Sequence, residues 1–199
     1  MDNTAMFKLS YGLYVLTAKD EKDNGCIINT AIQVTNTPNR ISVTVNKENY
    51  THYMIAKTKE FNISILDESS EFGIFEHFGF QSGRNTDKFL NPDMLPRAKN
   101  GIVYIAAGTN AYISGKVTEE IDLGTHTMFI ADVTDAKNLS DIPSVTYDYY
   151  HKNIKPKPQK QEKKGWICKI CGYVHEDENL PEDFICPICK HGAADFEKM

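Results

Sequence analysis

The sequence predicts a mainly β fold with a few helices, closed into an antiparallel barrel and followed by a small metal-stapled domain. Three observations carry this. Between Tyr11 and Thr134 the chain falls into many short β-branched and aromatic runs separated by turn residues, the pattern of a barrel built from short strands. Near the end, Cys168, Cys171, Cys186 and Cys189 form two Cys-x-x-Cys pairs with fourteen residues between them. Between these regions lies H-K-N-I-K-P-K-P-Q-K-Q-E-K-K-G, residues 151–165, whose lysines and prolines deny it a core and favour an extended, mobile linker. The 199 residues therefore divide into a domain over 1–150, a Lys/Pro linker over 151–165 and a small domain over 166–199.

Composition narrows the setting. Hydrophobic residues make up 41%, enough for a proper core. No apolar run approaches the roughly 20 residues that span a bilayer, and the first ten residues lack a signal pattern. A protein free of the membrane, in the cytoplasm, is expected. Four of the five cysteines fall in the paired motifs, so only Cys26 remains, as a small buried hydrophobe, and a reducing compartment fits. Residues 166–199 carry three Lys/Arg against seven Asp/Glu. A ribbon that met nucleic acid would need a basic face, so that class is excluded.

In chain order, Thr4 to Leu9 reads as a short helix and Tyr11 to Ala18 as a strand. The run Asp20 to Gly25 reads as a turn with Asn24-Gly25 as its hairpin signal, and Cys26 to Thr35 as one return strand. Along that strand Ile27, Asn29, Ala31 and Gln33 share a face, and amides beside Ile and Ala point to a polar group lying along it. Thr37-Pro38-Asn39 turns into a strand over Ile41 to Val45. A helix follows over Tyr50 to Lys57 with Asn49 as N-cap, then a strand over Phe61 to Leu66 and a helix over Glu71 to Phe78. Gly79 to Asn100 is a long loop, a length that usually signals function. Strands resume at Gly101 to Ala106, Ala111 to Val117 and Thr127 to Thr134.

The cysteine spacing makes a four-thiolate site that suits Zn²⁺ or a single iron, and spacing alone leaves that choice open. The surroundings are Gly172-Tyr173 after the second cysteine, Pro187 after the third, the aromatics Trp166, Tyr173, Phe184 and Phe196, and the closing Asp195-Phe196-Glu197. With these the segment resembles a rubredoxin, which implies one iron and electron transfer. It departs from that pattern at Lys190, where glycine is usual, at Phe184, where tryptophan is usual, and in a shorter segment between the pairs.

A second resemblance lies upstream. N-G-C-I-I-N-T-A-I-Q-V-T-N-T-P-N-R-I-S-V-T-V-N with Y-T-H after it, H-F-G-F-Q-S-G-R-N-T-D-K-F over His77 to Phe89, and G-T-H-T-M-F-I-A-D-V over Gly124 to Val133 together resemble the flavin reductase-like proteins. That resemblance implies an FMN-binding split β-barrel. It assigns the flavin ring to Asn29, Thr30, Ala31, Ile32 and Gln33, and the phosphate to Asn46, Lys47, Thr51, Ser82, Arg84 and Lys88, with Lys88 alternatively on the ring edge. His126 matches the histidine near the flavin, where imidazole can donate a hydrogen bond or seat a nicotinamide. His52 and His77 are weaker candidates for flavin contact. The fingerprint G-x-G-x-x-G is absent, but these barrels lay NADH or NADPH over the flavin without one.

Fused, the two halves resemble an electron converter that accepts hydride at flavin and releases single electrons from iron. The implied acceptor is a flavodiiron protein that reduces oxygen or nitric oxide, or another redox partner. The alternatives are a flavin or ferric reductase, and a non-enzymatic relay fed by a separate reductase. The resemblance also implies a homodimer.

Overall fold

The computed structural model describes residues 2–156, 165–177 and 179–199. The chain forms two units, Met1–Lys155 and Pro156–Met199. Most of the expected linker, 157–164, lies outside the described residues.

After a 3₁₀ turn at Asn3–Lys8, the first unit is built from β1 (Tyr14–Lys19), β2 (Asp23–Ile28), β3 (Ala31–Asn36), β4 (Asn39–Asn46), α1 (Tyr50–Thr58), β5 (Glu60–Leu66), α2 (Phe72–Gly79), β6 (Thr109–Asp122) and β7 (His126–Asn138). The strands form one seven-stranded sheet in the order β2-β1-β5-β6-β7-β4-β3, with every neighbouring pair antiparallel. The two edge strands, β2 and β3, follow one another in the chain with only Asn29 and Thr30 between them. So short a join between opposite edges forces the sheet to curl so that the end of one edge strand comes beside the start of the other, which makes a split barrel. The join is pinned to β4: Thr44 N–H donates to Thr30 O at 3.2 Å, and Thr30 Oγ1 donates to Thr44 O at 2.6 Å.

Long strands must bend to wrap a barrel, and β6 and β7 do so at register shifts between Ser114 and Gly115 and between Val117 and Glu119. Gly115 is obligatory there, because a Cβ would lie 2.6 Å from the Phe61 ring. Inside the barrel Leu16, Val43, Val45, Phe61 and Phe129 are fully buried, with Met54 and Ile55 of α1 packed against them. Truncating Phe61 or Phe129 to alanine is expected to cost about 3–5 kcal/mol. A second core joins Leu13, Val15 and Leu66 to Phe75 and Phe78 of α2 and to Phe89, Val103, Val145 and Tyr150.

Four expectations are corrected. The single strand over Cys26 to Thr35 is two, β2 and β3, because the chain crosses from one sheet edge to the other at Asn29-Thr30. Asn24-Gly25 lies inside β2, paired with Ala18 and Thr17, and the turn proper is Asp20 to Lys22. Gly25 sits in tight packing there, since a Cβ would fall 3.2 Å from Leu16 O and from the Phe78 ring. Gly101 to Ala106 joins no ladder beyond an isolated bridge between Val103 and Arg97. Its backbone instead serves side chains: Thr17 Oγ1 donates to Val103 O at 2.6 Å, Asn62 Nδ2 to Ile102 O at 2.9 Å, and Ile105 N–H to Ser64 Oγ at 2.9 Å. Finally, the first unit runs on through a helical turn, Tyr147–Tyr149, into a π-helical turn, Tyr150–Ile154. Tyr150 and Ile154 pack on the second core, so His151 to Ile154 are ordered structure.

The second unit is a three-stranded sheet of β8 (Trp166–Cys168), β9 (Val174–His175) and β10 (Phe196–Lys198), ordered β10-β8-β9. Its core is small: Cys168, Cys186 and Phe196 are buried, and Trp166, Ile170, Tyr173, Leu180, Phe184 and Ile188 pack around them. Among the described residues, no helix is long and apolar enough to cross a membrane.

Candidate functional site

The metal centre is built from two copies of one backbone device. Gly172 N–H donates to Cys168 O at 2.8 Å and Lys190 N–H to Cys186 O at 3.0 Å, while Cys168 N–H donates to Tyr173 O and Cys186 N–H to His191 O, both at 2.8 Å. Each knuckle turns through a left-handed residue, Gly172 at φ 78° and Lys190 at φ 63°. The result gathers four sulfurs within 4.8 Å of one another, with Cys168–Cys189 and Cys171–Cys186 at 3.5 Å. A tetrahedral ion with metal–sulfur bonds of about 2.3 Å sets its sulfurs about 3.8 Å apart, so the array fits one ion. Without a cation, neighbouring sulfurs share protons: a hydrogen bond with Cys189 holds the Cys171 thiol low, at about 5, and the same bond together with burial pushes Cys189 up. Phe184 packs edge-on to Phe196 at 5.3 Å and against His175 at 4.5 Å. These rings shield the buried pair, Cys168 and Cys186, while Cys171 and Cys189 are half-exposed.

In the barrel unit the expected flavin residues separate into groups. Asn46 pairs with His126 across β4 and β7, and the Asn29-Thr30 crossing lies beside the same end of β4. These four therefore share one rim. There His126 Nδ1 meets Thr125 Oγ1 at 2.9 Å, Asn46 Oδ1 accepts from Glu48 N–H at 2.9 Å, and His52 Nε2 meets Thr127 Oγ1 at 2.8 Å. Burial, with Lys47 nearby, holds His52 below the ordinary histidine range. Ala31, Ile32 and Gln33 instead line an apolar groove of about 410 Å³ with Tyr14, Ile41, Ile63, Ile65, Ile113 and Val133. Gln33 Nε2 donates to Asn39 Oδ1 at 3.0 Å.

The cations and hydroxyls expected at the phosphate are not equivalent. Lys47 is ion-paired with Asp122 at 2.7 Å. Thr51 is fully buried, its hydroxyl accepting from Asn24 Nδ2 at 2.9 Å. Lys88 is only 5% exposed, and its ammonium donates to Gly25 O at 2.8 Å and Phe78 O at 3.1 Å. Ser82 Oγ accepts from Arg84 N–H at 3.3 Å, and Arg84 lies over the Tyr50 ring at 5.4 Å. Lys22, which the motifs do not mark, stands over the same ring at 5.6 Å. Its only sequence signal is its place in the charged turn before β2. His77 Nε2 meets Lys88 O at 2.7 Å, so it braces the long loop.

Comparison with known proteins places this architecture. Residues 6–157 match the flavin reductase like domain and residues 166–197 the rubrerythrin, rubredoxin-like domain. The chain is 35% identical to a high molecular weight rubredoxin of Moorella thermoacetica over the whole of both chains. It is 36% identical to a ferric-chelate reductase (NAD(P)H) of Archaeoglobus fulgidus, over 76% of this chain and 89% of that one. Among solved structures, an NADH:FAD oxidoreductase of Streptomyces globisporus superposes with a TM-score of 0.63 at 20% identity, over 71% of this chain and 84% of that one. An FMN-binding protein of Thermus thermophilus gives 0.62 at 20% identity, over 70% and 82%. At such identities these two speak for the fold.

Proposed function

Since the chain belongs to the flavin reductase-like family and ends in a rubredoxin-like domain, we propose that it passes electrons from NADH or NADPH through bound FMN to one iron on Cys168, Cys171, Cys186 and Cys189, and on to a protein acceptor. The observation that carries this reading is the four-sulfur array on the same chain as a flavin reductase-like barrel. Bound flavin would supply the conversion of a hydride pair into single electrons. Asn29, Thr30 and Asn46 would offer hydrogen bonds to the ring edge, and His126, on the same rim, would seat the nicotinamide. The half-exposed Cys171 and Cys189 would face the acceptor, for which a flavodiiron oxygen or nitric oxide reductase is the proposed type. A cytoplasmic setting goes with this chemistry, because free thiols and a reducing compartment belong together.

A homodimer is part of the proposal. β3 is a sheet edge whose Ile32 and Val34 are 65% and 47% exposed, and Ile32 lines the apolar groove. Apolar edges of this kind are usually covered, and a second copy would do so. Light scattering that gave a monomer in flavin-loaded protein would contradict it.

Anaerobic NADH or NADPH added to the purified full chain tests the central reading: flavin and iron absorption are expected to bleach together. Bleaching only after a separate reductase is supplied would make the protein a relay. The likeness to a ferric-chelate reductase favours one second reading, in which the barrel reduces ferric chelates directly. In that case Cys186→Ser leaves chelate reduction at the wild-type rate.

A further inference from the structure

We infer that Lys190 is a counter-charge for the metal–thiolate centre and favours its reduced state. The inference rests on the proposed iron reading, and its starting point is a strained backbone. Lys190 turns the second knuckle at φ 63°, where the matching turn of the first knuckle has Gly172 at φ 78°. Their N–H groups make equivalent bonds, to Cys186 O and Cys168 O. Glycine makes such a turn without steric cost, and a side chain there destabilises it. Strain that persists at a site points to a use for the strained residue. The fold does not supply that use, because Lys190 is exposed and makes no ion pair among the described residues. The other left-handed lysine, Lys59, differs: it ends α1 and is paired with Glu120.

What Lys190 does have beside it is a metal ligand. Consecutive Cα atoms lie about 3.8 Å apart, so its ammonium is tethered within a side-chain length of Cys189, one of the two half-exposed thiols. The charges around it are sorted. Residues 166–199 hold seven Asp/Glu, yet none falls in 167–174 or 185–192, the two stretches that wrap the site. Lys169, in the first stretch, is also without an ion pair. Its N–H donates to Asp195 O at 2.8 Å, which sets an acidic residue beside it, so its share is expected to be smaller. Four thiolates around a ferric ion leave one net negative charge, and around a ferrous ion two. One electron enters, from reduced flavin by the proposed route; no bond forms or breaks and no proton moves. The added charge falls on a centre whose Cys168 and Cys186 are buried among aromatic rings, where water compensates it poorly. An unpaired ammonium at the exposed rim attracts the reduced centre more strongly than the oxidised one, and so raises the reduction potential.

The test is a mediated redox titration of the full iron-loaded chain, driven by dithionite and followed by the low-field resonance of high-spin ferric iron, where flavin is silent. Lys190→Gln is expected to lower the electron affinity of the centre about threefold at low salt, which is about 28 mV at about 59 mV per tenfold for one electron. Lys190→Glu doubles the change in charge and is expected to lower it about tenfold, while Lys190→Arg stays near wild type. Lys190→Gly relieves the backbone and removes the charge together, so a potential matching Lys190→Gln assigns the effect to charge. Raising the salt from about 0.01 to 1 M shortens the screening length from about 30 to 3 Å. The gap between wild type and Lys190→Gln is expected to close, which a purely structural effect would not do. Lys198→Gln removes an equal charge from outside both stretches, where it stands over the Trp166 ring at 6.0 Å, and is expected to shift the potential less. Equal potentials in wild type, Lys190→Gln and Lys190→Glu would overturn the inference, as would a gap that survives high salt or an equal shift in Lys198→Gln. Because dithionite supplies the electrons, the flavin route is not needed. NADH or NADPH that failed to bleach the iron would end the proposed route and leave these potentials to decide Lys190. A chain that holds no iron after anaerobic refolding with ferrous salt would end both.

Discussion

Lys88 stands in the flavin-like motif Q-S-G-R-N-T-D-K as though it were a loop cation waiting for a ligand, yet it is 5% exposed with two carbonyls on its ammonium. Lys88→Met separates the two roles, because methionine keeps most of the apolar stem and removes the charge. Hydrogen bonds to charged groups contribute about 1.5–3 kcal/mol, offset in part by the burial of the ammonium. The expected net loss for the barrel is roughly 2 kcal/mol, or about 4–8 °C in melting temperature for a unit of this size. Burial also holds the Lys88 ammonium below the ordinary lysine range, against the opposing pull of Cys26. Between that depressed value and the ordinary one the unfolded chain binds more protons, so stability rises with pH there and the variant is expected to flatten the rise. Trp166 is the one tryptophan and lies in the other unit, so the barrel is best followed by far-ultraviolet circular dichroism. FMN affinity, measured below the melting transition, is expected to change by less than about threefold. Wild-type stability combined with a tenfold or greater loss of FMN would refute this account and return Lys88 to the ligand.

Three further outcomes are expected. Lys190→Gly removes a left-handed side chain at φ 63° and is expected to stabilise the metal unit by about 1 kcal/mol, read as a later loss of iron colour in denaturant. Burial depresses His52, so the unfolded chain gains a proton first as pH falls below about 6.5, and barrel stability is lost toward the depressed folded value; His52→Gln is expected to flatten that slope in pH-dependent melts. Removing the ion with acid and chelator is expected to unfold the second unit, because its core holds little besides the cysteines and a few rings. A red shift of Trp166 emission with unchanged barrel dichroism reports this, and an unshifted spectrum would show a core that stands without metal.

What was legible in the sequence follows the range of the interactions involved. The strands over Ile41 to Val45 and Phe61 to Leu66 and the helix at Tyr50 were readable because periodicity and turn residues are local signals. The cysteine knuckles were readable because each closes within six residues. Gly101 to Ala106 looked like a strand, since its β-branched content fits one. What keeps it out of the ladder is a set of side chains, Thr17, Asn62 and Ser64, from strands far away in the chain. The crossing at Asn29-Thr30 was hidden for the same reason: only the seven-strand order shows that β2 and β3 are opposite edges.

The cations make the same point about function. Lys47, Arg84 and Lys88 look alike in sequence, each a positive charge in a motif that wants a phosphate. Their fates were decided by residues up to 75 positions away: Asp122 for Lys47, and the Gly25 and Phe78 carbonyls for Lys88. A positive charge is available to a ligand only when the fold has left it without a carboxylate or a carbonyl cage, and that condition belongs to tertiary structure. The metal site escapes this ambiguity because four thiols gathered within 4.8 Å have little else to do in a core that small. Motif reading is therefore strongest where the ligands are themselves the core, and weakest where a charged side chain can serve the fold as well as a ligand.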